Sequence, residues 1–424
     1  MLPNLHLCRT PYQDLSEQGS ETIDTGANGM SAEQVLRTAI VKALFGYSYR
    51  DLAFHLVDSQ CLRSFCLIGF SNGFKKSALQ RNISALSAET WEFINRTILG
   101  QAADDKIEAG REVRIDCTVV ESNIHNPTDS NLLWDGVKVL TRNLIAAKEL
   151  GIEGLGFQDH SLRAKRRVLG ILNAKSRKVR DKLYADLIKV TEMVVADAEK
   201  SLACLSAHEF ESFSIMMEQT RIFNQIQHFL PLVRRVIDQA RRRVMLGEKV
   251  PAQEKLVSIF ETHTDIIIKD NRDTHFGHKI CLTGGRSNLI LDCVVLKGNP
   301  ADSELAQPML ERQKEIYGRA PLKAALDGGF ASLDNVEKAK EMGVKDICFA
   351  KRRGIEVKDM CRSEYVYQRL RNFRAGIESG ISWLKRRFGL SRCTWQGWRS
   401  FKSYVWASVV SANLLTLARA GTGR

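Results

Sequence analysis

Long apolar runs are missing from this sequence. Nothing in its 424 residues approaches the roughly 18 to 20 consecutive apolar side chains that a bilayer-spanning helix requires. The first residues also lack an apolar core behind a positive segment, so neither a membrane span nor a secretory leader is predicted. Paired metal-binding cysteines are missing too. The ten cysteines, from Cys8 to Cys393, are scattered, with no Cys-x-x-Cys and no histidine cluster at zinc spacing. They read as small apolar residues in a reducing compartment, which argues against a zinc protein and a disulfide scaffold. Acidic side chains are in the minority: 49 Asp and Glu face 62 Lys and Arg, a formal charge of +13. That excess favours polyanionic partners, because each neutralised phosphate releases condensed counterions. A hydrophobic fraction of 44% over this length suits two or three folded domains.

What is present falls into blocks. Residues 1–30 are rich in Gly, Ser and Thr without periodicity and predict a loose arm. From Ser31, which forms a capping box with Gln34, apolar residues at helical spacing (Val35, Leu36, Ala39, Ile40) predict a helix that stops at Gly46. A short helix from about Ser48, one opened by a Ser77–Gln80 capping box and one from about Ser87 follow. With Arg50, Lys75, Lys76 and Arg81 they suggest a helix-turn-helix-like DNA-binding domain over 31–100, although compact helical bundles with a basic rim share this pattern. The segment "REVRIDCTVVES" alternates as a strand does and carries Asp116 inside it, where a charge needs compensation. Residues 137–257 read as a helical insertion with basic tracts, either a solvated face or a phosphate-tracking surface.

Strand signals then resume. "GHKICL" and "NLILDCVVL" flank a turn near 284–287 and predict a hairpin, followed by a helix, the strand "PLKAALDGGF", a helix capped by Ser332, the strand "VKDICFA" and a final long helix. This order predicts a mixed α/β sheet formed by 101–136 and 258–400. Asp327 ends a strand before Gly328 and Gly329, at the kind of strand end where ligands gather in such sheets; a turn-capping Asp is the plainer reading. On a helix through "RNFRAGIESGISWLKRRFG", Arg371, Arg374, Glu378 and Lys385 fall on one side, next to an apolar stripe of Ile377, Ile381, Leu384 and Phe388. An ordinary Arg374–Glu378 surface pair would explain part of that stripe.

The segments "IDCTVVESNIHNPTDSNLL", "ALDGGFAS" and "RNFRAGIESGISWLKRRFG" together resemble the three catalytic blocks of bacterial insertion-sequence transposases of the DDE class. Residues 31–100 are similar to the N-terminal domain of those proteins, and "VWASVVSANLLTLARA" (within 401–424) to their closing helix. The resemblance implies an RNase H-like catalytic domain with Asp116, Asp327 and Glu378 as catalytic, metal-holding residues. Arg374, Glu378 and Lys385 keep the spacing of the family's third block, while Arg371 stands where it has a tyrosine. The helical insertion here precedes the second Asp, so insertion-specific functions are not carried across.

The same resemblance implies two Mg2+ ions, with Mn2+ able to substitute, and DNA cleavage followed by strand transfer at one site. Asp116 would bridge the ions, Lys385 and Arg374 would position phosphate, and Arg371, Lys75, Lys76 and Arg81 would contact DNA. Thr118, Asn123 and Asp129 are candidate supports, with loop capping the plainer role for the last two. His275 and His278 read as turn or surface residues. The expected partner is double-stranded DNA, bound by a homodimer because two ends must be joined, in a bacterial cytoplasm at the nucleoid. An RNase H-like nuclease that cuts without joining, or a non-catalytic DNA-binding descendant, remains the alternative.

Overall fold

The computed structural model describes residues 29–69, 73–152, 155–208, 212–269 and 273–421, together with Pro11, Gln13 and Asp14. Most of the expected loose arm therefore lies outside the described residues. Asp14, within it, is buried and accepts hydrogen bonds from Ser87 N at 2.7 Å and Thr90 Oγ1 at 2.6 Å.

The chain forms two compact units, residues 1–123 with 267–424 and residues 124–266. In the first, β1 (Glu112–Glu121) is the centre of a six-stranded mixed sheet. It pairs antiparallel with β3 (Asp273–Gly285) and parallel with β5 (Lys323–Leu326). Beyond β5 lies β6 (Asp346–Phe349), again parallel. On the other side β4 (Ile290–Val295) pairs antiparallel with β3, and β2 (Asp265–Lys269) completes the order β2-β3-β1-β5-β6. Three antiparallel strands from consecutive hairpin segments and two parallel strands reached through helices are the arrangement expected of an RNase H-like sheet, and the mixed α/β class predicted from the sequence is correct.

Because β1 lies between two partners under helices, both of its faces are largely covered, not one face only as its alternating pattern suggests. Arg114 in that strand is only 6% exposed. The connections β4 to β5 and β5 to β6 run through α10 (Ala306–Tyr317) and α11 (Leu333–Glu341). The long α13 (Glu364–Arg387), capped by Ser363, packs on the sheet after the short α12 (Val357–Met360). It buries Ile377, Ile381 and Leu384, the apolar stripe read from the sequence.

The N-terminal helices are α1 (Ala32–Phe45), α2 (Tyr49–Asp58), α3 (Gln60–Phe65), α4 (Lys76–Ala85) and α5 (Ala88–Asp104). Ser31 with Gln34 forms the expected capping box, and Ser48 with Asp51 forms a second. The box expected at Ser77 is not there: α4 starts at Lys76 with Lys75 as N-cap and no side-chain cap bond. These helices do not build a core of their own. Leu36, Leu52, Trp91 and Ile94 belong to one apolar cluster with Ile280 and Leu282 of β3 and with Val405, Val409 and Val410 of α14 (Trp398–Gly421). A boundary at residue 100 is thus not a boundary between compact units. Asn413 of α14 ties the closing helix to the sheet, accepting from Ile290 N at 2.8 Å and donating to Ile290 O at 2.7 Å.

The second unit is helical: α6 (Asp129–Glu149), α7 (Ser161–Asn173), α8 (Arg177–Ala207) and α9 (Phe213–Ala240), closed around one apolar core. Its first helix starts at Asp129, eight residues earlier than the reading of 137–257, because Thr128 caps it. Several cations of its basic tracts are spent inside the unit. Arg163 and Arg167 pair with Asp186, Arg234 with Glu199 and Arg241 with Glu192.

Candidate active site

Register brings the first two acids together. Ile115 of β1 pairs in parallel with Leu326 of β5, so Asp116 and Asp327, each one residue further on, stand at neighbouring positions on the same side of the sheet. Asp116 is still within its strand, and its Oδ1 accepts from Cys117 N at 2.7 Å. Asp327 lies just past its strand, at the start of the 3-10 turn Gly328–Phe330. The two glycines there serve packing. A Cβ on Gly328 would come within 2.6 Å of the Lys351 side chain and one on Gly329 within 2.6 Å of Asp302. The loop after β6 and the segment after β4, not an approaching phosphate, take up the room they leave.

The third acid is delivered by α13, and the way it is fastened explains why it faces the other two. Arg114, two residues before Asp116 and therefore on its face of the strand, sends its guanidinium against that helix. Its Nη1 donates to Phe373 O at 3.2 Å, its Nη2 to Asn288 Oδ1 at 2.6 Å, and its cation lies 4.9 Å from the Phe373 ring centre. Any Cβ at position 376 would overlap Arg114 Nη1, so Gly376 is the residue that lets helix and strand meet. Two residues on either side of Gly376 are Arg374 and Glu378.

Arg374 is the hub of the site. Its Nη2 lies 3.4 Å from Asp116 Oδ2 and 3.1 Å from Asp327 Oδ1, and its Nη1 lies 3.0 Å from Glu378 Oε1. Three carboxylates that are 211 and 51 positions apart in the chain, taking 327 − 116 and 378 − 327, thus share one cation. The guanidinium is largely enclosed, its side chain 16% exposed, whereas exposure rises from 16% for Asp116 through 39% for Asp327 to 61% for Glu378. The pocket therefore has a closed floor at Asp116 and an open rim at Glu378. The Arg374–Glu378 pair expected on a helix surface exists, but it is one of three contacts.

Beside the two aspartates opens a cavity of about 490 Å3, lined by Thr118, Asp302, Lys351 and Arg353 among others. Thr118 is buried there, as a supporting residue would be. Asn123 is exposed in the loop after β1. Asp129 is engaged elsewhere: buried in the helical unit, it accepts from Arg243 Nη1 at 2.8 Å and from Gln239 Nε2 at 2.9 Å. Its expected support of the acids is corrected by that network, since a buried carboxylate needs its own local cation. Arg371 is exposed on α13, and Lys385 is half-buried near its end. His275 and His278 also need correction, because β3 begins before them. His275 Nδ1 lies 3.2 Å from Glu121 Oε1, while His278 is a core residue between the rings of Trp398 and Phe401, at 4.5 and 4.8 Å. Lys75, Lys76 and Arg81 are exposed on or beside α4.

Sequence reasoning missed Arg114, Lys351 and Arg353. Arg114 carried a usable signal, its position two residues from Asp116 in a strand with no acid opposite it. Lys351 and Arg353 carried none, since the loop after β6 comes to the acids only through the fold. Cys117 also lines the cavity, and its hydrogen bond with Cys281 across the β1–β3 pair, with burial, holds its thiol far above the usual range.

The donor chemistry fits hard divalent cations, which take oxygen ligands and need only two or three carboxylates when phosphate supplies more. Asp116, Asp327 and Glu378 offer oxygen only. Among the described residues no three His, Cys, Asp or Glu side chains stand close enough to chelate one ion directly. The acids are gathered through Arg374 instead, so an ion held by them competes with that guanidinium for the same oxygens.

A family model described as the transposase DDE domain matches residues 258–414. The stretch contains Asp327, Glu378, Arg374 and every strand of the sheet except the one that bears Asp116. No curated protein and no solved structure matches the chain.

Proposed function

We propose, for a chain that carries the DDE domain of transposases over residues 258–414, that it binds the terminal inverted repeats of a mobile element, cuts DNA there and joins the freed ends to a target. The observation that carries this reading is the meeting of Asp116, Asp327 and Glu378 on the single guanidinium of Arg374. Transposases of this class depend on divalent metal ions, and such ions, Mg2+ or Mn2+ and two in number by our reading, supply an activated water and stabilise the leaving 3′ oxygen when bound.

This chain's residues do the rest. Asp116, the least exposed of the three and hydrogen-bonded within its own strand, would hold these ions together with Asp327 and Glu378. Arg374 changes partner during that exchange. Released from the carboxylates, its planar fork donates to the scissile phosphate and offsets charge as it grows in the transition state. Lys351 and Arg353, which line the same cavity as Asp116 and Asp327, track the neighbouring phosphates. The site is exposed to solvent on the Glu378 side, and the cleaved strand's 3′-hydroxyl then becomes the second nucleophile at the same place.

The test uses supercoiled plasmid carrying the element's own ends. Mg2+-dependent nicking and end joining are expected, and Asp116→Asn, Asp327→Asn and Glu378→Gln should each lower both by at least a hundredfold while the far-ultraviolet circular dichroism at the assay temperature stays that of the folded wild type. Cutting without joining would favour a nuclease of the same fold. Equal activity in the three variants would reject the site. Homodimerisation on paired ends is part of this proposal, and light scattering on the complex with end DNA measures it.

A further inference from the structure

A second cavity, of about 510 Å3, opens where α1, the segment after α13 and α14 meet, and it shares no lining residue with the acid pocket. Its size is that of a small-molecule site. The walls are largely rings and small apolar side chains, Trp91, Phe388, Trp395 and Tyr404 with Ala39 and Ala407, and no Asp or Glu is among the described residues that line it. Hydroxyl protons on the wall already have acceptors. Tyr404 Oη donates to Gly389 O at 2.8 Å and Ser408 Oγ to Tyr404 O at 2.9 Å. Arg392, exposed, is paired with Glu121 at 3.5 Å. Lys42 is different. Half-buried, with its ammonium 4.7 Å from the Tyr49 ring centre and 5.8 Å from that of Trp395, it has no acid within ion-pair distance and no acceptor oxygen for its N–H groups among the described residues. The rings attract the cation but take none of its hydrogen bonds. Burial holds that ammonium below the usual lysine range. The indole N–H groups of Trp91 and Trp395 are buried donors without a partner. An apolar chamber with a partly desolvated cation and two orphan donors is short of one thing, a negative charge with acceptor oxygens on an apolar body.

We infer that this cavity is a binding site for a small aromatic carboxylate, its carboxylate on Lys42 and its ring among Trp91, Phe388 and Trp395. The inference is independent of the reaction proposed above, and no chemistry at the acids is needed for it. A flat aromatic body suits walls built from rings, which pack edge to face or offset against another ring. A backbone phosphate of a duplex suits them poorly, because Trp91 is 0% exposed and the chamber around it is apolar. Phe388 and Gly389 directly follow the helix that carries Arg374 and Glu378, so the occupant would rest against the end of α13.

The probe is naphthalene-2-carboxylate, titrated into the full chain by isothermal calorimetry in EDTA. Beside it stand naphthalene-2-carboxamide, the same ring without the charge, and decanoate, the charge without the ring. The carboxylate should bind once per chain and on the order of tenfold more tightly than either analogue, as one charge-assisted hydrogen bond requires. Lys42→Met should remove that advantage, weakening the carboxylate on the order of tenfold and the carboxamide not at all, and Trp395→Phe should weaken the carboxylate several-fold. Bound carboxylate should raise Tm in the wild type and not in Lys42→Met. Lys358→Gln, an exposed lysine elsewhere, should bind as the wild type does. Should Lys42→Met fail to fold by circular dichroism, Lys42→Gln and Trp395→Phe carry the test. Carboxylate and carboxamide binding alike, wild-type affinity in the Lys42 variants, or no heat with the probe in the millimolar range would each overturn the assignment. So would decanoate binding as tightly as the probe, which would mean an aliphatic acid site, or displacement of the probe by duplex DNA, which would give the cavity to the nucleic acid.

Discussion

Replacing Arg374 by methionine separates the two things that guanidinium does. Without metal it lies within ion-pair distance of all three acids, Asp116, Asp327 and Glu378, at 3.4, 3.1 and 3.0 Å. The contacts are unequal in worth. The Asp116 contact is enclosed on both sides, and a hydrogen bond between charged groups in such a place contributes ~1.5 to 3 kcal/mol. Those to Asp327 and Glu378 reach solvent and contribute roughly 0.3 to 0.5 kcal/mol each. Arg374→Met therefore costs about 2 to 4 kcal/mol without metal, and for a unit of this size each kcal/mol moves Tm by roughly 2 to 4 °C, so a fall on the order of 5 to 15 °C is expected. The direction reverses for ion binding. An incoming divalent cation no longer has to displace a guanidinium, and at 1.4 kcal/mol per tenfold its Kd should tighten roughly thirtyfold to several-hundredfold. Differential scanning fluorimetry in EDTA and in 10 mM MgCl2 reads the first effect; Mn2+ titration followed by electron paramagnetic resonance reads the second. A variant that melts like the wild type in EDTA and binds Mn2+ no more tightly would refute the idea that Arg374 and the metal share one place. DNA cleavage should fall even so, because the phosphate contact goes with the side chain.

Three further outcomes follow from particular contacts. Gly376→Ala puts a methyl where Arg114 Nη1 lies and breaks that group's bond to Phe373 O, so a loss of ~1 to 3 kcal/mol by urea melting is expected, together with weakened cleavage as α13 shifts; Gly380→Ala, whose methyl would meet only Ile290 Cδ1 at 4.0 Å, should do neither. Lys42, whose ammonium burial disfavours, binds its proton less tightly folded than unfolded. Its cost to stability is therefore present below its lowered folded pKa and gone above the unfolded value near 10.5, so Lys42→Met should melt at or above the wild type at pH 7, with the difference vanishing toward pH 11. Iodoacetamide at pH 8 should modify the exposed Cys61 readily and leave Cys117 and Cys281 untouched, since one holds its thiol far above that pH and the other is fully buried; mass spectrometry of the native protein reads it.

The amino-acid sequence determined the local elements and the identity of the reactive groups. Alternation around Asp116, the apolar strand ending at Asp327 and the amphipathic stripe beside Glu378 are short-range patterns, and short-range patterns fix strand, turn and helix because each depends only on side chains a few residues apart. The mixed sheet could be read for the same reason, from the order of those elements. What the tertiary structure alone decided is which groups meet. The offset that sets Asp116 beside Asp327 comes from backbone pairing between strands some two hundred residues apart, and Glu378 faces them because Gly376 admits Arg114. The merging of the N-terminal helices with α14 into one core was equally hidden, as was the withdrawal of Asp129 to Arg243. An apolar stripe states that it will be buried but not against what, and a carboxylate's partner depends on which cation the fold carries within reach.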